Sequence, residues 1–229
     1  LRTAAEAGPN AARLWDTLKA APGFAEEGRI QRVQAALQID SLTQGHVPLM
    51  TALQMEHGVT APRDLLALGE DTLREMVGRE DIGVPDGVPG DDGPAKAAAY
   101  VASVMGALHL ALPTESVARL VGAAPAEAVG DAATHATLTG FFERATGAAM
   151  RDAGTAFDIG ATNIQEYLAQ HGDTVFEGIA AEERAGAVPH LMRAQRLFNV
   201  SADPASFQTL LTSGLGSARE IASMPLATT

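Results

Sequence analysis

The sequence contains no cysteine, only two lysines (Lys19 and Lys96), and 4% aromatic residues. Without cysteine there is no thiol nucleophile, no thiolate-built zinc site and no disulfide framework, so the redox compartment is left open. Basic residues number 16 against 28 acidic ones, a formal charge of -12, with a pI near 4.8. Nucleic-acid interfaces draw their affinity from clustered Lys and Arg, so nucleic acid is excluded as an expected partner. Runs that alternate Val, Ile, Thr or aromatics with polar residues, as strands require, are also scarce. No charged n-region leads into an apolar stretch and cleavage site, so no signal peptide is visible.

What is abundant is alanine, at 45 of 229 residues, the strongest helix former. The expected class is all-α, an irregular multi-helix bundle. The length suffices to bury a core without metal or disulfide support. A single all-α module over 1–229 is expected, with subdomains 1–93 and 94–229 as the alternative. Leu1 at the start, and Thr229 without an obvious terminal cap, lead us to expect a piece of a longer protein.

Helical punctuation is frequent. Leu14, Trp15 and Leu18 make an apolar stripe before Pro22-Gly23, and Trp15 reads as a core or subunit-facing anchor. Further helices are predicted at Gly28–Ile39, at His46–Glu56 closed by Gly58, and at 62–68 and 70–77. Residues 78–93, with five glycines, two prolines and five acidic residues, are predicted to be a loop. Pro94 suits the first turn of the next helix, capped by Asp92 or Gly93, and Pro113 blocks its continuation. Ala97–Leu112 holds 16 residues without formal charge, short of the roughly 20 a bilayer needs. Its interruption by Ser103, Gly106 and His109 predicts a buried central helix. Thr114 is expected to cap a short helix carrying Val117, Leu120 and Val121. Helices at 134–150, 163–170 and 182–198 follow, the last with Val188, Leu191, Met192 and Gln195 on its apolar side.

Two windows resemble each other. Arg32, Gln34, Leu37, Gln38 and Ile39 match Arg193, Gln195, Phe198, Asn199 and Val200. Farther on, Gly58-Val59 with Arg63-Asp64-Leu65 match Gly214-Leu215 with Arg219-Glu220-Ile221. Each copy reads as helix, polar turn, helix, glycine stop and short helix, and the middle helices carry Leu49, Met50 and Leu53 or Phe207, Leu210 and Leu211. Two related helical hairpins are therefore expected, each with an apolar face that it cannot bury alone.

Chemistry-bearing patterns are few. His46, His57, His109, His135, His171 and His190 include no i, i+4 pair and no HExxH context, so no metal site is expected. Asp81, Asp86, Asp91 and Asp92 lack the spacing and the twelfth-position glutamate of a calcium loop, and read as a solvated acidic stretch. Gly214-Leu215-Gly216 is read as a helix C-cap, not as a DNA-binding hairpin. Neither a GxSxG elbow nor a GxxxxGK[ST] loop occurs, so no catalytic, cofactor-binding or metal residue is assigned and no enzyme is expected.

The ordered blocks LWDTLKAAPGF, RVQAALQIDSLTQGHVPLMTAL, GVTAPRDLLAL, GVPDGVPG, YVASVMGALHLALPTESVARL, FDIGATNIQEYLAQHGD and RAQRLFNVSADPASFQTLLTSGLGSAREIA resemble the helical shell region of the A component of bacterial toxin complexes. These are the insecticidal Tc toxins and related large "neuraminidase-like domain" proteins. The similarity runs from about Leu14 to Met224. It implies an all-α piece of the outer shell of a pentameric, pore-forming translocation machine, in bacterial virulence, without catalytic residues or cofactor. The S-x-D-x-G-x-x-W box of neuraminidases is absent, and the chain is far shorter than those proteins.

The expected role is therefore non-enzymatic: a structural and protein-protein interaction module whose partners are other regions of a parent protein or identical subunits. Direct membrane insertion by this segment is not expected. Localisation follows only from the resemblance, as secreted or cell-surface-delivered. The alternatives are a stand-alone helical protein- or ligand-binding module, such as an effector or adaptor, and a hydrolase with dispersed catalytic residues. The acidic balance predicts poor adhesion to anionic lipid at neutral pH and stronger adhesion once carboxylates are protonated. Liposome flotation at pH 7 and pH 5 checks this, and equal binding at the two values would contradict it.

Overall fold

The computed structural model describes residues 28–201 and 203–214. The Trp15 stripe, the helix expected around it, and the Arg219-Glu220-Ile221 end of the second repeat copy lie outside these residues. Among the described residues there are eleven helices and no strand, so the chain is all-α. It divides into two compact units, Leu1–Leu108 and His109–Thr229. The division falls inside a helix, not ahead of it at 93/94.

The first unit begins with α1 (Arg29–Leu42), α2 (Val47–His57) and α3 (Pro62–Val77). These three pack on one another around Ile39, Leu49, Leu53, Leu65 and Leu73. Gly58 ends α2 in the left-handed region at φ 62, where its N–H reaches Gln54 O and the next N–H, from Val59, reaches Leu53 O. A glycine accepts this conformation without a Cβ penalty. The segment predicted as two short helices is α3, whose single break is Gly69 at φ 80 and ψ 173. At its N-terminus the Asp64 carboxylate accepts from the N–H groups of Thr60 and Ala61, satisfying two donors near the helix start. Residues 78–92 are loop, as predicted.

Helix α4 (Gly93–Ala111) starts where Asp92 accepts from Ala95 N at 2.8 Å. Burial follows one stripe, Ala97, Tyr100, Val101, Val104, Met105, Leu108 and His109, while Ala98, Ala102, Ser103 and Leu110 are exposed. The expectation of a buried central helix is corrected accordingly. Alanine satisfies both faces, so its density in the sequence does not report burial. Its last turn, from His109, belongs to the second unit.

That unit continues with α5 (Pro113–Ala123), α6 (Ala126–Val129), α7 (Ala132–Ala145), α8 (Ala148–Asp152), α9 (Ile164–Val175), α10 (Ala181–Val200) and α11 (Pro204–Thr212). Helix α7 packs against α5, α6, α9 and α10. Its buried residues Leu138, Phe141, Phe142 and Ala145 follow the i, i+3, i+4, i+7 spacing of one helical face. Phe141 sits within 5.3–5.4 Å, ring to ring, of Phe142, Phe157 and Phe176. Burying such a ring contributes roughly 1.5–3 kcal/mol.

Three local expectations are corrected. The helix predicted over 134–150 is two helices, α7 and α8, parted at Thr146-Gly147. A Cβ on Gly147 would stand 3.0 Å from Arg144 O. Helix α10 buries Ala187, Leu191, Ala194 and Leu197, a face turned from the predicted one because small alanines line the contact. Thr114 does not cap α5. It is the second residue of the helix, and Leu112 holds the cap position without a side-chain bond.

The Thr114 hydroxyl instead bridges a loop. It donates to Phe157 O and accepts from Ile159 N, both at 2.9 Å and both buried. From α10, the Gln195 amide donates to Ile159 O and Thr162 O. Phe157 and Ile159 bury their side chains in the core, so their backbone groups leave water with them and need these partners.

The repeat is reproduced in order: α1, turn, α2 and Gly58 against α10, turn, α11 and Gly214, both glycines having positive φ. The buried pairs Leu49/Leu53 and Phe207/Leu211 correspond. The first helices differ, since Ile39 is 1% exposed and its counterpart Val200 45%. The turns differ too. Gln44 and Gly45 have positive φ in the first, whereas Asp203 caps α11 in the second by accepting from Ser206 N.

Replacing Thr114 by valine leaves the buried Ile159 N–H without an acceptor, so a loss of about 2–3 kcal/mol is expected. Thr114→Ser keeps the oxygen and should stay within about 1 kcal/mol of the parent. Urea unfolding followed by circular dichroism measures both.

Candidate functional site

The six histidines do not converge. Among the described residues, no three His, Asp or Glu side chains gather as a metal site would require. His46 donates from Nε2 towards Ile82 O and Gly83 O, at 3.1 and 3.2 Å, and meets the Tyr100 ring edge-on at 5.7 Å. The Tyr100 hydroxyl in turn donates to Thr43 O at 2.7 Å. His135 donates from Nε2 to Val121 O at 2.9 Å, and His171 lies 4.9 Å from the Tyr167 ring. His190 packs against Gly130, where a Cβ would stand 2.9 Å from its Cε1. His57 is an exposed residue in the last turn of α2.

The acidic loop residues are dispersed in role. Asp81 faces Arg79, whose guanidinium also reaches Glu56 at 2.7 Å. Hydrogen bonds from Arg79 hold both carboxyls below their usual range. Asp92 caps α4, and Asp86 and Asp91 are exposed.

One constellation stands out chemically. His109 is 0% exposed, and its Nδ1 lies 2.8 Å from the Ser116 hydroxyl oxygen. Ser116 is itself buried. The imidazole is flanked by the Phe198 and Phe207 rings at 5.0 and 6.1 Å. Among the described residues its Nε2 has no hydrogen-bond partner. Burial pushes the imidazole below its ordinary value, and the Asp203 carboxylate pulls the other way. Asp203 is held low chiefly by the Ser206 backbone N–H and hydroxyl.

A hydroxyl, an imidazole and a carboxylate are the ingredients of nucleophilic catalysis. Their arrangement here differs from a working triad. Asp203 spends its oxygens on Ser206, and neither Ser116 nor His109 reaches solvent. Sequence patterns did not flag Ser116 or Asp203. Ser116 follows His109 by seven residues across the Leu112-Pro113 break, a relation no helical period carries.

Each unit also has a surface concavity. In the first, one of about 490 Å³ is lined by Val77, Val84, Pro94 and Ala97 with Arg74 and Arg79, and another of about 270 Å³ by Gln44, Pro89, Tyr100 and Ser103. Both arginines are already engaged, Arg74 by Glu70 and Asp71 and Arg79 by Glu56 and Asp81. In the second it is about 290 Å³, beside the 2.9 Å Arg184–Asp173 pair. Apolar side chains are left outside both cores: Met55 is 81% exposed and Val47 and Leu110 are each 66% exposed. No single helix among the described residues is long and apolar enough to cross a membrane. No protein-family model, curated protein or solved structure matches the chain.

Ser116→Ala removes the hydrogen bond to Nδ1 of the buried imidazole and is expected to cost about 1–3 kcal/mol at pH 7.5, with Ser116→Thr retaining most of the stability. Chemical unfolding of the two variants checks this.

Proposed function

We propose that the chain is a non-enzymatic structural and interaction module, comparable to the α-helical shell of a Tc-type toxin translocation component. Its partners are identical subunits or other regions of a parent protein. The observation that carries the proposal is the apolar side chains left on helix surfaces. Val47, Thr51 and Met55 follow one another at i+4 spacing along the exposed side of α2, and spacing of this kind places side chains on one face. Their counterparts inward, Leu49, Ala52 and Leu53, are buried, so α2 carries apolar groups on both sides. A helix that is apolar on two sides suits a position between two partners.

The family resemblance in the ordered sequence blocks supplies the kind of assembly. A second reading, a stand-alone ligand-binding module, is favoured by the 490 Å³ concavity of the first unit with its Val77, Val84 and Pro94 lining. The two differ in what the exposed α2 side does in solution.

Sedimentation velocity over a hundredfold concentration range decides between them. The interaction module is expected to self-associate, and Val47→Glu with Met55→Glu to abolish association while leaving helix content unchanged. A chain that remains monomeric throughout that range would overturn the proposal.

A further inference from the structure

The interaction role makes no use of the most secluded titratable group in the second unit. His109 closes the last turn of α4, and three elements surround its ring. Ser116 meets it from α5, Phe198 from α10 and Phe207 from α11. None of these three is ionisable in the relevant range. Among the described residues the one charged group that acts on the imidazole through space is Asp203, ahead of α11. Its carboxylate is committed to the Ser206 N–H and hydroxyl, at 2.8 and 2.9 Å. Among the described residues no acceptor stands at Nε2.

We propose that His109 is an acid-released latch: uptake of one proton by its buried ring frees the α10–α11 hairpin from the His109 turn and α5. A neutral imidazole has one N–H, and the Ser116 hydroxyl adapts to either tautomer, since it both donates and accepts. An imidazolium has two N–H groups. Ser116 takes the one at Nδ1, which leaves the charged N–H at Nε2 beside the Phe198 and Phe207 rings, with no acceptor among the described residues. Opening the hairpin hydrates that group, so protonation and opening are linked.

The sign follows from burial. The folded imidazole is held below its ordinary value of 6.5, so its stabilising contribution is complete above that value and is lost as pH falls below it. The capping carboxylates Asp131 and Asp203 are held below their ordinary 3.8, so their contribution is lost only in a more acidic window. The two effects therefore separate along the pH axis. What opening uncovers is apolar: Phe198, Phe207 and Leu211, with the α5 face bearing Val117 and Leu120.

Hydrogen exchange on the full chain, corrected for the intrinsic pH dependence, tests this at pH 7.5, 6.5 and 5.5. In the parent chain, peptides spanning α10 and α11 are expected to lose protection below pH 6.5 by up to about tenfold per pH unit, the limit for one proton. Peptides from α1 to α3 should not change. In His109→Leu the α10–α11 protection should be flat over that range. A parent chain without the loss, or a His109→Leu chain with the same slope, would overturn the proposal. If His109→Leu does not fold, nitrogen NMR of the parent chain substitutes. His109 remaining neutral in the folded state at a pH that protonates it in urea supports the latch, and identical titration in the two states refutes it.

Discussion

A loop that buries its apolar side chains must bring its backbone in with them, and each buried N–H and C=O then needs a partner. This constraint shapes both units. In the second, Phe157 and Ile159 are core residues, and the loop carrying them is held by Thr114 from one helix and Gln195 from another. Arg193, five residues before Phe198 on α10, reaches Ala128 O and Leu211 O in the same manner. In the first unit, Tyr100 reaches Thr43 O and His46 reaches the carbonyls of Ile82 and Gly83. Thr114, Gln195, Arg193, Tyr100 and His46 thus act as partners for loop and helix-end backbone groups.

The alanine content explains why such tethers matter. Alanine helices approach closely but bury little apolar area per turn, so a few large side chains carry the packing. Phe141 and the rings of Phe142, Phe157 and Phe176 do so in the second unit. With packing concentrated there, the connections are positioned by hydrogen bonds, and a connection out of place would leave buried carbonyls unpartnered.

Much of the fold was legible where backbone chemistry dictates it. Gly58 ends α2 as read from the sequence, the break expected between 68 and 70 falls on Gly69, and of the two cap candidates, Asp92 and Gly93, it is Asp92 that opens α4; each satisfies helix-end donors or adopts a conformation that other residues resist. Burial was less legible. Alanine occupies the buried side of α10 and the exposed side of α4 alike, so apolar periodicity misplaced the inward face of one and overstated the burial of the other. Thr114 carries the signature of a cap, but its hydroxyl answers a carbonyl and an N–H more than forty residues away, which no local rule reveals. The repeat was legible as order and glycine placement, while the burial of Ile39 and Val200 diverged with their surroundings. The His109–Ser116 pair was not legible at all, since each residue alone is ordinary and their meeting depends on the bend between α4 and α5.

The functional proposal and the latch rest on the same economy: polar groups turned inward serve as tethers, and apolar groups turned outward on α2 are left for a partner. The most direct test of the tethering account is the exchange rate of the Ile159 amide in the unmodified chain. The account predicts that this loop proton exchanges as slowly as the amides of Phe141 and Leu191 in α7 and α10. Exchange at the rate of an exposed loop amide would contradict it.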